Sequence, residues 1–289
     1  MRQKSQRPIP NPQMQVMRRV AWALVVWLVG YGSWDLGFVT SADARAPAAA
    51  ATAQQQGGRG RQGGAPTGRA AAPVDLTGLW VSVVTEDWRW RMVTPQKGDY
   101  ASVSGVMTPQ ARKVADAWDP ARDTAAGEQC RAYGAGAIMR VPGRIRISWQ
   151  NDTTLKVEAE AGTQTRLFDF GSPKPGPPSW QGTSEATWLT AGRRASTGAP
   201  GAPPRAGSLR VVTTNLRPGY LRKNGVPYGA NARVTEHFNR LDEANGDSWL
   251  VVTTLVEDPE YLTTRFQVSS HFKKVPEGSG WNPTPCVAS

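Results

Sequence analysis

From Ile145 onward oily and polar positions alternate. Ile145, Ile147 and Trp149 alternate with Arg146, Ser148 and Gln150, and Leu155, Val157 and Ala159 alternate with Lys156, Glu158 and Glu160. Phe266, Val268, Ser270 and Phe272 interleave in the same way with Gln267, Ser269, His271 and Lys273. A period of two gives each segment one dry and one wet face, the pattern of antiparallel strands. Turn residues punctuate the runs at Pro142-Gly143, Asn151-Asp152, Ala161-Gly162 and Asn245-Gly246. Short connections between successive strands predict an all-β, antiparallel up-and-down meander of roughly nine or ten strands, which must close into a barrel or curve strongly to hide its edges. One helix is expected, about 109–118. Thr108 suits its N-cap, Pro109 its first turn, and Ala111, Val114, Ala115 and Trp118 share a face before Pro120.

Ahead of this pattern the chain changes character. Arg18 and Arg19 precede a mostly apolar run, Val20 to Tyr31, and Ala42-Asp43-Ala44 offers small residues for cleavage. Residues 1–44 therefore read as a secretory signal peptide, with Ala44-Arg45-Ala46 as a second cleavage choice and an uncleaved anchor as the alternative. Gly30, Gly32 and Asp35 interrupt the run before the length a spanning helix needs. Residues 45–73 are Ala, Gly, Gln and Pro without periodicity, the composition of a disordered linker. Residues 74–289 then form a single β-barrel-like domain, carrying a Pro-rich loop insertion around 171–207 with a short strand at Thr183–Thr190. The protein is expected to be exported, to the periplasm or the medium.

The net charge of +11 misleads unless it is located. Residues 1–73 hold nine Lys/Arg and two acids, leaving the folded part 25 basic and 21 acidic side chains. A nucleic-acid partner is not expected, because its binder would carry the charge on the domain. The two cysteines, Cys130 and Cys286, read as one disulfide in an oxidising compartment. With two histidines in the chain and no Cys-x-x-Cys, neither a metal site nor a cofactor is expected.

Gly78-x-Trp80, opening the first strand of a meander, resembles the lipocalin-type (calycin-type) mark, in which an inward Trp closes the barrel floor, often beneath a later Arg. More broadly, Leu76-Thr77-Gly78-Leu79-Trp80, Cys130-Arg131-Ala132-Tyr133-Gly134, Thr165-Arg166-Leu167-Phe168, Thr235 to Arg240 and Val256-Glu257-Asp258-Pro259 resemble uncharacterised exported proteins abundant in soil bacteria. Members of that group usually have Glu-Arg-Phe where this chain has Glu236-His237-Phe238. The resemblance spans Val74–Cys286 and implies a lipocalin-like β architecture with no activity attached.

Strand parity supplies the candidate chemistry. The face bearing Val234 and Phe238 also bears Glu236 and Arg240, and the face bearing Phe168 and Phe170 also bears Arg166. Charges turned inward must be paired or must meet a ligand. An ion-pair plug beside Trp80, an anion-binding spot and a catalytic carboxylate (Glu236 or Glu257) are the three readings. His237 and His271 fall on the opposite, wet faces. Trp88 and Trp90 share parity across Arg89 as a two-ring strand face. Trp180 and Trp188 also fall near strand ends or loops, and Tyr220 looks exposed in the basic loop Arg217–Gly225. Rings of this kind either pack the core or line a mouth for a flat ligand.

The leading expectation is a non-catalytic module that binds a small apolar or weakly anionic ligand. Arg166, Glu236 and Arg240 would orient it, and Trp80, Trp88, Trp90 and Tyr220 would supply contact area. A cell-envelope scaffold with a filled barrel is the alternative, and a hydrolase or isomerase using an interior carboxylate is the third reading. Protein partners stay open.

Overall fold

The computed structural model describes residues 67–190 and 207–288. The expected signal peptide, most of the linker and residues 191–206 of the Pro-rich insertion lie outside the described residues.

Nine strands close a barrel. In chain order they are β1 (Gly78–Val83), β2 (Arg144–Asn151), β3 (Thr154–Ala159), β4 (Gln164–Asp169), β5 (Thr183–Thr190), β6 (Gly207–Thr214), β9 (Arg233–Asp242), β10 (Ser248–Glu257) and β11 (Phe266–Val275). The two-residue strands β7 (Gly219–Tyr220) and β8 (Pro227–Tyr228) form a separate ribbon. Around the barrel the order is β1-β11-β10-β9-β6-β5-β4-β3-β2. Alternation is what closes it: Val234, Glu236 and Phe238 are buried, while Arg233 is exposed and Thr235 and His237 are half-buried. Reversals use the anticipated turn chemistry. Asn151 Oδ1 accepts from Thr153 N–H at 2.8 Å between β2 and β3, and Gly246 takes a φ of 89° between β9 and β10.

The expected wholly antiparallel meander is corrected at one seam. Strands β4 and β5 are parallel, with Phe168 opposite Ser184 and Asp169 opposite Glu185. A tight turn would force antiparallel pairing. Instead residues 170–182, with four prolines, return the chain to the end where β4 began, so both strands leave from that end. A second departure comes between β6 and β9, where the chain leaves the wall to make the β7–β8 ribbon. Up-and-down closure, as in the roughly eight-stranded lipocalin barrel, has neither feature.

Among the described residues, three short α-helices lie before β2. The turn α1 (Trp88–Arg91) replaces the strand expected from Trp88-x-Trp90, because two rings across one residue do not distinguish a strand from a helical turn. Helix α2 (Pro109–Asp116) starts where Thr108 Oγ1 accepts from Ala111 N–H at 3.1 Å, and it buries Ala111 and Ala115. It ends two residues earlier than expected, and Pro120 opens α3 (Pro120–Ala125), capped by Asp119. These helices, residues 128–142 and the β7–β8 ribbon cover the barrel end where β2 begins and β10 finishes. Their core (Tyr100, Met107, Leu221, Val226, Tyr228) is shared with Val234, Val256 and Phe266 of the wall. Cys130 and Cys286 form a disulfide, tying the C-terminal tail to this cap. In the chain-entropy account, a loop this long gains at most about 5 kcal/mol.

At the other end the chain is ordered ahead of Val74. A 3-10 turn at Gly68–Ala71 lies inside the stretch read as linker, and Arg69 N–H donates to Asp152 O at 2.9 Å.

Candidate functional site

Among the described residues, the barrel lumen holds one ion pair, Arg166 with Glu236, in a mostly apolar packing. Arg166 faces inward beside Phe168 on β4, and Glu236 lies between Val234 and Phe238 on β9; the two are 2% and 0% exposed. Arg166 Nη1 donates to Glu236 Oε1 at 2.9 Å and Nη2 to Oε2 at 2.6 Å, a two-pronged match of guanidinium to carboxylate. Nη2 also donates to Thr213 Oγ1 at 3.2 Å, which lies 2.8 Å from Ser184 Oγ. The guanidinium lies 4.9 Å from the centre of the Phe168 ring, and Phe168 meets Phe238 edge-on at 5.5 Å. Trp80, Phe238 and Phe272, all fully buried, belong with Phe168 to the apolar core of the barrel. Of the three readings of this constellation, the geometry is that of a plug: each charge is answered by the other.

The remaining sequence candidates do not join it. Arg240 has the inward parity of Glu236 but stands at the barrel end, where it donates to Asp242 Oδ1 at 2.9 Å, Asp75 O at 2.7 Å and Ser248 Oγ at 3.3 Å. Parity fixes a side chain's face and not its depth. Trp80 is buried in the lumen, its Nε1 donating to Leu76 O at 3.0 Å, and the cation over its ring is Lys274, at 5.4 Å. Trp88 is 65% exposed on α1, and Trp90, on the same turn, is half-buried.

Tyr220 is buried at 7% exposure, contrary to the expected exposed loop. Its hydroxyl donates to Asp123 Oδ2 at 2.9 Å and accepts from Arg131 Nη1 at 3.2 Å. Burial pushes the Tyr220 hydroxyl pKa well up, with Asp123 adding to the rise against the lowering field of Arg131. The loop around it is an inner wall of the cap, with Leu221, Arg222, Asn224 and Val226 all buried. His237 and His271 stand on β9 and β11 with β10 between them, and His271 Nδ1 lies 2.9 Å from Glu86 Oε2.

One open groove lies at the barrel end away from the cap. A groove of about 310 Å³ runs between Trp149, Leu155 and Trp188 on one side and residues 72–77 on the other, with Arg69 and Asp75 as its charged members. Phe170 links the two indoles, stacked on Trp188 at 5.2 Å and tilted against Trp149 at 5.5 Å. Trp188 Nε1 donates to Gly68 O at 2.8 Å, fixing the covering segment to the wall. Gly68 adopts a φ of 57°, and a Cβ there would strike the Asp152 carbonyl, so this crossing requires glycine. Trp149 was not singled out by sequence. Its signal was present all the same: inward parity with Ile145 and Ile147, immediately before the Asn151-Asp152 turn, places a ring at a barrel rim.

Comparison with protein-family models, with curated proteins and with solved structures returned no match, and the chain is a β-barrel protein without a recognised family.

Proposed function

We propose that this protein is an exported, non-catalytic binding module of lipocalin-like character, and that its ligand occupies the groove at the barrel rim instead of the lumen. The observation that carries this reading is the pair of indoles, Trp149 and Trp188, lining an open groove of about 310 Å³ with Phe170 packed against both. That volume is at the lower end of small-molecule sites. Indole faces beside Leu76, Leu155 and Pro73 suit a flat apolar body, and Arg69 at the edge suits a weakly anionic substituent. Arg166 and Glu236 then act as a plug that stiffens the wall beneath the groove, with no direct role in orienting the ligand.

Native mass spectrometry of protein purified gently from the periplasm tests this. A co-purifying small molecule in the wild type, lost in Trp149→Ala and Trp188→Ala, is the expected result. A clean apo mass in repeated preparations overturns it.

A filled barrel acting as an envelope scaffold is the second reading. It draws support from the packed lumen and from Trp88, Met92 and Val93, which are 65%, 60% and 66% exposed beside one another. Trp88→Ser with Met92→Ser would then abolish capture of a partner while leaving the stability of the fold unchanged.

A further inference from the structure

The cap encloses more positive charge than it neutralises. Arg91, Arg140 and Arg222 are 7%, 6% and 2% exposed, and they line one pocket with Trp90, Leu221 and Lys223. Two carboxylates answer two of these cations. Glu86 pairs with Arg91, and Asp87, in left-handed backbone at φ 49°, accepts from Arg140 Nη2 at 3.0 Å. Backbone carbonyls complete them: Arg91 Nε donates to Arg140 O at 2.9 Å and Arg140 Nη1 to Leu221 O at 3.4 Å.

Arg222 has no such arrangement. Its Nε, Nη1 and Nη2 are all buried without an acceptor among the described residues, and its guanidinium lies 5.4 Å from the centre of the Trp90 ring. Asp87 and then Asp99 reach Arg222 with their fields, but Asp87 is engaged by Arg140 at 3.0 Å and Asp99 by Arg89 at 3.4 Å. Two further buried donors without acceptors, Trp90 Nε1 and Arg91 Nη2, belong to residues lining the same pocket. The neighbourhood is unfavourable to more positive charge: burial above all, and then the field of Arg222, push the Arg140 guanidinium down to about 10. Buried cations persist where an anion meets them. Among the described residues, every unsatisfied side-chain atom lining this pocket is a donor, so the pocket is suited to an acceptor.

We propose that this pocket binds a small carboxylate, whose two oxygens accept from Arg222, Trp90 Nε1 and Arg91 Nη2. The pocket's volume is about 20 Å³, room for the centres of one or two oxygen-sized atoms. A planar carboxylate presents two oxygens to that space and to the guanidinium fork, and sulfate, which can present two of its four, is the anion the test must separate from it. Half-buried Lys223 stands on the same lining and gives the entrance a matching charge. The site is at the opposite end of the barrel from the Trp149–Trp188 groove and shares no residue with it.

The test is thermal unfolding of the full chain titrated with sodium acetate, with chloride and sulfate at matched ionic strength and pH as references. Acetate alone is expected to raise the unfolding temperature in a saturable way. Arg222→Met removes the rise, Trp90→Phe weakens acetate binding about tenfold by deleting one donor to a charged group, and Arg233→Met, an exposed cation on β9, leaves it intact. Equal responses to all three salts, or an acetate response that survives in Arg222→Met, overturn the proposal. Should Arg222→Met fail to fold, unchanged acetate affinity in Trp90→Phe overturns it. Trp149→Ala and Trp188→Ala leave the acetate response unchanged, so failure of the rim groove and failure of this site are separately visible.

Discussion

Arg166 and Glu236 join across the lumen, not along the wall: their strands, β4 and β9, are separated in the barrel by β5 and β6. Their contact is a brace between two sectors of sheet that share no backbone hydrogen bonds. Its value lies in fixing how the sheet curves, because charge burial costs roughly what the pair regains.

Removing one partner leaves the other charged in a dry lumen. Arg166→Met and Glu236→Leu are each expected to cost about 3–5 kcal/mol. The double substitution should cost far less than their sum. Urea unfolding of all four proteins measures the coupling, and additive losses would show that the pair contributes nothing as a pair.

Two tyrosines of the cap should answer differently to loss of the hydroxyl. Tyr220→Phe breaks the network with Asp123 and Arg131 and is expected to cost about 1–3 kcal/mol. The Tyr228 hydroxyl is buried without a partner among the described residues, so Tyr228→Phe should be neutral or stabilising within about 1 kcal/mol. Chemical denaturation of both variants checks the contrast.

Acid stability should depend on Glu86. Burial alone would raise its carboxyl, but the Thr85 hydroxyl, Arg91 and His271 together hold it below its ordinary 4.5. Its folded pKa is thus the lower one. The stability it contributes is complete above the ordinary value and drains away as pH falls through the folded pKa. Between neutral pH and the acid limb, wild type should lose more stability than Glu86→Gln, measured as urea midpoints across that range. Parallel curves would contradict this.

On the alkaline side, burial and then the Asp116 carboxylate push the Tyr100 hydroxyl up to about 12 from 10.0. The neutral ring is therefore favoured in the fold. Its contribution is intact below the ordinary value and is lost as pH rises through about 12. Tyr100→Phe should flatten that alkaline loss, read as the unfolding midpoint against pH.

Much of the barrel was written in side-chain alternation. The same parity that put Arg166 and Glu236 inside also put Arg240 inside, and failed there, because Arg240 sits near the end of β9, where Asp75 and Asp242 draw it to the rim. Trp88 and Trp90 misled for a related reason, since a four-residue window of Trp-Arg-Trp-Arg has no resolvable period. Tyr220 follows Arg217-Pro218-Gly219, whose chemistry says turn and says nothing of α3 packing over it. The arginine pocket was hidden more deeply: Arg91, Arg140 and Arg222 come from three separate segments, none with a motif, and only the cap brings them together. The parallel seam was unreadable too, because a proline-rich connection states its stiffness and not the direction in which it delivers the chain.

That seam has a mechanical consequence. Strands β9 and β10 are matched over ten residue pairs, whereas β4 and β5 are matched over two. A closed ring under thermal agitation parts first at its shortest weld, so transient opening should start between Phe168 and Ser184. Amide protons there should exchange with deuterium before those of the long hairpin do. The opening would release Trp188 and Phe170 from each other, making the thinnest join in the wall also the natural doorway to the rim.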